Sequence, residues 1–502
     1  MLASVTGMYP VPANYPVGAL VLRRNTMPNE IRTRFAPSPT GFMHIGNLRT
    51  ALYAFLFAKK NKGKFVLRIE DTDQERLVAH ALETIYKTLR FAGLVYDEGP
   101  DAGGAYGPYI QSERKAIYAE YAQKLIDSGH AYRCFCTKER LETLVDASGN
   151  RRYDKHCLHL SQEEIAQKLA SGIGYVVRQH VSQEGFTSFF DAVYGEISVE
   201  NKELHDNVLM KSDGFPTYNF ANVVDDHLMA ISHVFRGMEY LSSTPNYNLL
   251  YESFGWDTPQ YVHLPHIMRD KQHKLSKRYG DANFEDFLDK GFLPEAVLNY
   301  VALLGWNPKN DREKFSLEEL TAYFDISGIS KSPAVFDEAK LRWINSLYIK
   351  ELPFDVFHRQ ALPYYNMLSL PVDRNLLSGL LQSRISVFSD IPERIAFLAD
   401  FEDYDVNLFV QKDAKSDLAL AKTLLPHVIA VSEAIDTWEN TILFAAFEPL
   451  ADKLGVKKKQ LFWIIRIAVT GHISTPCGAT EACALIGKAA TLKRLKYSWD
   501  RL

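Results

Sequence analysis

The sequence predicts an α/β protein in which a parallel-sheet domain is followed by an all-helical carboxy-terminal region. Within residues 31–60, a strand, a tight Pro/Gly turn and a helix follow one another. Residues 215–237 contain long apolar runs with polar residues at their ends, a pattern typical of strands covered on both faces of a parallel sheet. From about residue 284 onward the apolar spacing becomes helical almost throughout.

The segment 31–60 opens as a short strand at 31–35 and breaks at Pro37, Pro39 and Gly41 before an alanine- and leucine-rich helix that we expect to be amphipathic. A helix that begins directly after a strand and a tight turn presents free backbone N–H groups to phosphates. The G-x-G-x-x-G fingerprint of dinucleotide sites is absent. Instead, His44 stands where a triphosphate would lie.

The next elements alternate between the two kinds of secondary structure. Residues 64–73 are predicted to form a buried strand that ends in acids, and helices are predicted at 75–93 and 112–128. Residues 131–211 are short-stranded and contain three of the cysteines. We interpret this segment as an insertion between two halves of a Rossmann-like sheet.

Length and composition describe an ordinary globular chain of several domains. At 502 residues the chain is too long for one hydrophobic core. The net charge is only −4, so any contact with nucleic acid must come from local basic faces. No apolar run approaches the length of a membrane span, and no membrane contact is predicted.

The five cysteines do not form the framework of a secreted, disulfide-rich domain. Cys477 and Cys483 are isolated in an apolar stretch, which predicts buried thiols, and the other three form a cluster. This usage fits a reducing compartment and predicts a cytoplasmic location.

Residues 1–30 leave two interpretations open. The segment is poor in acids and contains two arginines, as an organellar transit peptide would. Three prolines in its first sixteen residues argue against the amphipathic helix of such a peptide. A disordered extension ahead of a true start at Met27 is the alternative, and we favour disorder.

A polar, basic loop at 269–281 carries the run Lys274, Leu275, Ser276, Lys277 and Arg278. Flexible lysines on a loop suit the neutralisation of charge that develops on phosphates during a transfer reaction. Such a run by itself is more often a solvated surface or a nucleic-acid patch. Its combination with the His44 segment favours the catalytic interpretation.

The cysteine cluster consists of a C-x-C pair, Cys134 and Cys136, and a C-x-H pair, Cys157 and His159. Three cysteines and one histidine suit a tetrahedral, structural Zn²⁺ with no open position, one per chain. Tyr153 is a further candidate near the second pair. The alternative is three reduced thiols and a solvated histidine, since both spacings are tighter than those of common zinc fingers.

Several motifs occur together in a recognisable order. Residues 36–47, APSPTGFMHIGN, resemble the HIGH motif of class I aminoacyl-tRNA synthetases, and KLSKR at 274–278 resembles their KMSKS loop. Together with RTRFAPSPTG, LRIEDTD and PTYNFANVVDDHLMAISHVFRG, they are similar to the bacterial-type glutamyl-tRNA synthetases. The resemblance runs from Ile31 to the end and is weaker after Tyr348. At the fourth HIGH position this chain has Asn47.

The resemblance implies a pocket for glutamate. A substrate with two carboxylates and one ammonium needs two cationic contacts and one anionic contact. Arg34 and Arg236 can form bidentate pairs with carboxylates, Arg236 with that of the side chain, and Glu70 can face the α-ammonium. The residues implied for this pocket are Arg34, Ala36, Ser38, Glu70, Tyr218, Asn222 and Arg236.

The resemblance also implies an ATP site and a two-step reaction. Glutamate first attacks the α-phosphorus of Mg²⁺-bound ATP, giving glutamyl-adenylate and pyrophosphate. The terminal adenosine hydroxyl of the tRNA then attacks the acyl carbon; the motifs leave open whether this tRNA is tRNA(Glu) alone or also tRNA(Gln). The residues implied for ATP are His44, Gly46, Glu239, Leu241, Lys274 and Lys277, of which His44 and the two lysines are assigned to catalysis.

The expected organisation follows from these segments. The two halves of the catalytic domain are predicted at 31–110 and 212–258, with an inserted acceptor-stem-binding domain at 111–211. A stem-contact region with the KLSKR loop follows at 259–329, and an all-helical anticodon-binding region at 330–502. The last 48 residues, 455–502, contain nine Lys or Arg and two acids, as phosphate contact requires. The family default is a monomer.

Four functions fit part of this pattern. A relative that glutamylates a modified base in tRNA lacks the helical region that this chain has. A non-catalytic tRNA-binding paralogue conflicts with the intact His44, Lys277, Arg34 and Glu70. A nucleotidyltransferase of small substrates would not need the length or the basic end. We therefore favour the full glutamyl-tRNA synthetase.

Overall fold

The computed structural model describes residues 30–39, 43–76, 78, 80–145, 152–275, 283–368, 370–398 and 404–502. The predicted amino-terminal extension, except for Glu30, lies outside the described residues. Ser276, Lys277 and Arg278 of the basic loop lie outside them as well.

The strands are short and almost all precede residue 270. Within the described residues they are β1 (Arg32–Phe35), β2 (Lys64–Leu67), β3 (Ala131–Cys134), β4 (Val176–Gln179), β5 (Phe186–Asp191), β6 (Gly195–Glu200), β7 (Val208–Met210), β8 (His233–Gly237), β9 (Gln260–Leu264), β10 (Ile267–Met268) and β11 (Ala334–Val335).

Helices alternate with the strands in the first half and follow one another without a long strand in the second. Over the same described ranges they are α1 (Ile45–Lys60), α2 (Ala81–Phe91), α3 (Lys115–Asp127), α4 (Lys138–Thr143), α5 (Gln162–Ala170), α6 (Tyr218–Leu228), α7 (Thr244–Phe254), α8 (Phe284–Asp289), α9 (Pro294–Leu303), α10 (Leu317–Tyr323), α11 (Glu338–Glu351), α12 (Phe354–Ala361), α13 (Arg374–Gln382), α14 (Ile391–Ile395), α15 (Leu418–Ala434), α16 (Asn440–Lys453), α17 (Lys458–Thr470), α18 (Ala479–Ile486) and α19 (Lys488–Asp500).

The main sheet has the strand order β2-β1-β8-β9-β5-β6. Neighbouring strands from β2 to β5 run parallel, and only the edge strand β6 is antiparallel to its neighbour. The chain passes from β1 through α1 to β2 on one side, whereas β8 pairs with the other side of β1. In an open α/β sheet, ligands bind at such a reversal, beyond the carboxyl ends of the strands. The predicted parallel-sheet fold is confirmed.

Helix α1 lies at the centre of the first domain. Its residues 51–56 are all buried, so the helix is covered on every side and does not have the single apolar stripe that we predicted. It packs between the sheet and α9. Because α1 is buried on all sides, its packing fixes the position of its amino terminus beside the end of β1.

Two parts of the topology differ from the sequence-based expectation. Residues 218–228 form helix α6, and only 233–237 form a strand, although we predicted strands for the whole apolar run. The hairpin β5–β6 lies within the predicted insertion, 111–211, but β5 pairs with β9 and so belongs to the main sheet. The separate sheet of this segment consists of β3, β4 and β7.

The carboxy-terminal region is helical, as predicted. Its apolar faces share one continuous core with the first domain, which extends from Phe35 to Leu495. Among the described residues, no helix is both long enough and apolar enough to cross a membrane.

Candidate active site

The carboxyl ends of β1, β2 and β8 bring together most of the residues that the sequence assigned to glutamate. Arg34 lies on β1, Glu70 just beyond β2, and Arg236 near the end of β8. Tyr218 and Asn222 come from the first turns of α6, which leads into β8. The site therefore lies at the reversal of strand order between β1 and β8, where a ligand is expected.

Arg34 is buried and already carries an ion pair within the protein. Its Nε donates to Asp226 Oδ1 at 3.0 Å, and its Nη1 donates to the backbone oxygen of Phe235 at 3.1 Å. Burial alone would raise the pKa of Asp226, but Arg34 and Arg68 outweigh it and hold this pKa below its usual range. Nη2 of Arg34 has no hydrogen-bond partner among the residues that the structure describes.

Glu70 is anchored by Arg68, which is fully buried. Nη2 of Arg68 donates to Glu70 Oε1 at 3.1 Å, and its Nη1 donates to Asp226 Oδ1 at 2.7 Å. Burial raises the pKa of Glu70 above its usual range, although Arg68 and Arg34 oppose the shift. One arginine thus fixes both the carboxylate of the pocket and the carboxylate beneath Arg34.

Arg236 is surrounded by aromatic rings instead of carboxylates. Its guanidinium carbon lies 4.8 Å from the ring centre of Tyr247, 5.1 Å from that of Tyr261 and 5.6 Å from that of Tyr240. Tyr240 in turn packs on Tyr218 with ring centres 5.0 Å apart. These contacts stabilise a buried cation through ring electrons without cancelling its charge.

The remaining predicted residues of this pocket lie on α6 and on the turn after β1. Asn222 is buried and donates to the backbone oxygen of Tyr218 at 2.6 Å. Ala36 is partly exposed and Ser38 is exposed, both on the turn that leads from β1 towards α1. The turn is therefore open to a ligand above the buried arginines.

The predicted ATP residues lie on two neighbouring elements. His44 caps α1, and its Nδ1 accepts a hydrogen bond from the backbone N–H of Gly46 at 3.0 Å. Glu239 and Leu241 follow β8, and Glu239 lies 3.7 Å from His266 Nδ1. Burial and the nearby Lys274 lower the pKa of His266. His266, which sequence reasoning did not select, thus lies close to both Glu239 and Lys274.

The basic loop is attached at both ends beside this region. On one side, the backbone N–H of Leu275 donates to Ile267 of β10 at 3.1 Å, next to the exposed Lys274. On the other side, Asn283 forms a bridge with His44, and Phe284 donates to the backbone oxygen of Met43 at 3.2 Å. Asn283 and Phe284, which follow the residues that the structure does not describe, therefore lie next to the amino terminus of α1.

The three clustered cysteines converge, and His159 does not join them. The Sγ atoms of Cys134, Cys136 and Cys157 all lie within 4.8 Å of one another, and those of Cys136 and Cys157 are 3.5 Å apart. His159 ends a short 3₁₀ turn and is exposed, outside this group. The group that could hold a metal therefore consists of the three thiols, and His159 lies outside it in this structure.

A tyrosine hydroxyl lies where the histidine was expected. Tyr153 Oη is 3.4 Å from Cys134 Sγ and 3.7 Å from Cys136 Sγ, and it accepts from the backbone N–H of Cys157 at 3.0 Å. Tetrahedral Zn–S bonds of about 2.3 Å place sulfurs roughly 3.8 Å apart, so the three thiols fit a zinc ion without rearrangement of the backbone. The structure describes a group that can hold a metal.

The basic end of the chain is only partly a free face. Arg494 is buried and donates to the backbone oxygens of Phe397 and Val469, so it supports the fold. Lys496 pairs with Glu433, and Lys458 with Glu448. Phe462 and Trp463 pack against the core.

The acids beneath the pocket are the main residues that sequence reasoning missed. Asp225 accepts from Arg114 Nε, Tyr118 Oη and Gln111 Nε2, each at 2.8 Å, and Asp226 holds Arg34 and Arg68. The two adjacent acids that directly follow two valines in α6 are the signal that could have found them. Buried carboxylates need such partners.

Comparison with known families agrees with this geometry. The family "tRNA synthetases class I (E and Q), catalytic domain" matches residues 30–343, and the family "Anticodon binding domain" matches residues 349–498. The second match begins 19 residues after the predicted start of the helical region.

Individual proteins are similar over nearly the whole chain. A glutamate–tRNA ligase of Clostridium botulinum is 54% identical over 481 residues, which cover 95% of this chain and 99% of the relative. That of Clostridium tetani is 53% identical over 479 residues, which cover 94% and 98%. A crystal structure of a glutamate tRNA ligase from Elizabethkingia meningosepticum, in complex with its amino acid, has a TM-score of 0.86 and 32% identity, covering 94% of this chain and all of that one. The chain therefore belongs to the glutamate–tRNA ligases of the class I aminoacyl-tRNA synthetases.

Proposed function

We propose that this enzyme attaches L-glutamate to the 3′-terminal adenosine of tRNA(Glu), with ATP as the energy source, during protein synthesis. The observation that carries the proposal is the convergence of Arg34, Glu70 and Arg236 at the reversal between β1 and β8. Two guanidiniums and one carboxylate match the two carboxylates and the ammonium of glutamate. The family matches supply the reaction that such a pocket serves.

Within the pocket, we assign Glu70 to the α-ammonium and Arg236 to the side-chain carboxylate. Arg34 contributes through Nη2, because its other two nitrogens are engaged by Asp226 and Phe235. Tyr218 and Asn222 form the wall on α6, and Ala36 and Ser38 form the rim. Each guanidinium is held in place before the ligand arrives, which lowers the entropy lost on binding.

The first step joins glutamate to AMP. An α-carboxylate oxygen attacks the α-phosphorus of ATP, the bond to the bridging oxygen breaks, and pyrophosphate leaves. His44, the amino terminus of α1, Lys274 and Lys277 stabilise the negative charge that develops on the phosphates. Glu239 and Leu241 hold the adenosine.

The second step transfers the glutamyl group. A hydroxyl of the terminal adenosine attacks the acyl carbon, and AMP leaves with the bonding electrons. Neither step needs a nucleophile from the protein, so positioning and charge stabilisation account for the catalysis. Mg²⁺ would accompany the ATP phosphates and neutralise part of their charge.

We assign the cysteine cluster to one structural Zn²⁺, held by Cys134, Cys136, Cys157 and the hydroxyl of Tyr153. The geometry supports this assignment because the three sulfurs already lie within 4.8 Å of one another. Four protein ligands would leave no open position, so the ion would stabilise the insertion and take no part in the chemistry.

The partners and the location follow from the same proposal. The insertion contacts the acceptor end of tRNA, and the helical region contacts the anticodon, whether of tRNA(Glu) alone or of tRNA(Gln) too. All five cysteines are free thiols, which supports a reducing compartment and a cytoplasmic enzyme. We expect a monomer.

The test of the proposed function is the exchange of labelled pyrophosphate into ATP in the presence of tRNA(Glu). Exchange should require L-glutamate and should not occur with glutamine or aspartate. Arg236→Leu should abolish glutamate-dependent exchange while ATP still binds. Equal exchange with glutamine and glutamate would contradict the proposed pocket.

A further inference from the structure

The outer support of Arg236 is a histidine on the neighbouring strand. Arg236 of β8 and His263 of β9 are direct partners in the parallel register, and both side chains are buried. Nε of Arg236 donates to Nε2 of His263 at 3.0 Å, and Nη2 donates to Thr244 Oγ1 at 2.8 Å. Nη1 has no hydrogen-bond partner among the described residues and is left for a ligand.

The tautomer of His263 follows from its two partners. A guanidinium has only donors, so Nε2 of His263 must accept and can carry no proton. The ring proton is therefore on Nδ1, which lies 2.7 Å from Asp191 Oδ2. Burial lowers the pKa of His263 to about 4, so the ring is neutral at physiological pH.

Asp191 is itself fixed by the backbone. Its Oδ1 accepts from the N–H groups of Val193 and Tyr194 at 2.9 and 2.8 Å, and its Oδ2 accepts from the N–H of His263 at 3.1 Å. Asp191 ends β5, whose only register with β9 pairs Asp191 with Tyr261. The β5–β6 hairpin, which sequence reasoning placed in the insertion, is therefore connected to the pocket: Asp191 bonds to His263, and His263 bonds to Arg236.

The two arginines of the pocket consequently differ in whether a carboxylate of the protein neutralises their charge. Arg34 lies directly against the carboxylate of Asp226, so its charge is matched inside the protein. Arg236 meets a neutral imidazole, a hydroxyl and aromatic rings, and within the described residues it forms no ion pair. A buried guanidinium without a paired anion favours a ligand that supplies one.

We propose that His263 and Asp191 are positioning residues that select glutamate by holding Arg236 through a neutral acceptor. The inference rests on the proposed function, because it gives Arg236 the side-chain carboxylate of the substrate. A direct carboxylate partner would neutralise Arg236 and make glutamate and glutamine more alike. The neutral ring fixes the direction of the guanidinium and leaves its charge for the substrate. Glutamine, whose amide is uncharged, leaves that charge unmatched and is rejected.

The test compares two amide substitutions at one position. In His263→Gln the side-chain oxygen can replace Nε2 and accept from Arg236. In His263→Asn the amide nitrogen can still reach Asp191, but no acceptor reaches Arg236. His233→Asn is the matched control, because His233 is a buried histidine on β8 that bonds to Ser232 and lies outside the pocket.

The measurement is steady-state charging of tRNA(Glu) by the full-length protein, with glutamate and ATP varied in turn. We expect His263→Asn to raise the KM for glutamate about tenfold or more while the KM for ATP changes less than about twofold. Selectivity for glutamate over glutamine should fall by a similar factor. His263→Gln should stay within about threefold of the wild type, and His233→Asn should not change either KM.

Three results separate the possible failures. Equal KM values for glutamate in His263→Asn and His263→Gln would overturn the role of the acceptor. An equal rise in His233→Asn would show that loss of any buried histidine suffices, which also overturns it. A wild-type protein that does not charge glutamate would contradict the proposed function itself, independently of both variants.

Discussion

At the scale of single residues, the charged side chains of the pocket fall into two groups: some support its floor, and others are available to bind a ligand. Arg68, Asp225 and Asp226 form ion pairs with one another and with Arg34 and Arg114, so they build the floor. Glu70 and Arg236 keep bonding capacity for a ligand. Since removal of one partner from a buried ion pair leaves an uncompensated charge, the floor and the ligand-facing groups should respond differently to substitution.

Glu70 should make glutamate binding sensitive to pH. Burial raises its pKa, so it becomes protonated at a higher pH than an exposed glutamate does. In the role proposed for Glu70, the ionised form holds the substrate ammonium, so affinity is complete above this raised pKa and is lost as the pH falls through it. We expect the KM for glutamate in the wild type to rise as the pH falls through this raised pKa, at a higher pH than the ordinary pKa of a glutamate side chain would predict. Glu70→Gln should show a high KM that varies much less with pH, and an unchanged profile would rule out the assignment.

Lys277 should act on the chemistry and not on tRNA affinity. In the proposed mechanism its charge stabilises the phosphates mainly as pyrophosphate leaves, and contacts made only in the transition state raise the rate. Lys277→Ala should therefore reduce adenylate formation about a hundredfold or more and leave the Kd for tRNA within about twofold. Lys271→Ala, on the same loop but outside KLSKR, is the control and should affect neither. Equal losses in adenylate formation and tRNA binding would remove the role of Lys277.

At the scale of secondary structure elements, the residues next to the active site were easier to predict than their supports. The strand–turn–helix at 31–60 is local, so Arg34 and His44 could be placed from the sequence. The apolar stretch of α6 fits a buried strand or a buried helix equally well, which is why its type was mistaken. The pairing of β5 with β9 joins residues 70 positions apart, Asp191 and Tyr261, and no local pattern specifies such a partner.

Helix α6 should depend on Arg68 for its attachment to the end of β2. Arg68→Leu leaves Asp226 and Glu70 short of a cation in a buried site, which costs about 3–5 kcal/mol. Urea denaturation should show this loss as a lower midpoint of unfolding. Arg359→Leu is the control, because Arg359 and Asp355 form an exposed pair on α12, and such pairs contribute little. Similar midpoints for the two variants would contradict the structural role of Arg68.

The insertion should depend on a metal ion. Elemental analysis of protein purified without chelator should find about one zinc per chain, and Cys136→Ser should lose it. This variant should also bind the acceptor end of tRNA more weakly, because the sheet of β3, β4 and β7 is no longer fixed at the cluster. Cys477→Ser, a buried thiol of the helical region, should keep its zinc. A folded wild-type protein without metal would refute the assignment.

At the scale of the whole molecule, one continuous core joins the catalytic domain to the helical region. These two regions correspond to the two family matches, the class I catalytic domain and the anticodon-binding domain. The prediction of fold class and family from ordered motifs is confirmed. The sequence could not decide between His159 and Tyr153, because the choice depends on how the chain bends between them, and a 3₁₀ turn at His156–His159 follows Tyr153 by only three residues. The predicted limits of the domains remain predictions, apart from the β5–β6 hairpin, which belongs to the main sheet.

The most direct test of the central claim is transfer of labelled amino acids to purified tRNA(Glu) and tRNA(Gln) by the full-length protein with ATP. We predict that glutamate becomes attached to tRNA(Glu) through a bond that mild alkali breaks, with one AMP and one pyrophosphate released per glutamate transferred. Charging of tRNA(Gln) with glutamate would widen the tRNA range, and the amino acid assigned to the pocket would stay the same. Attachment of glutamine, or an alkali-stable bond to a base within tRNA, would contradict the account.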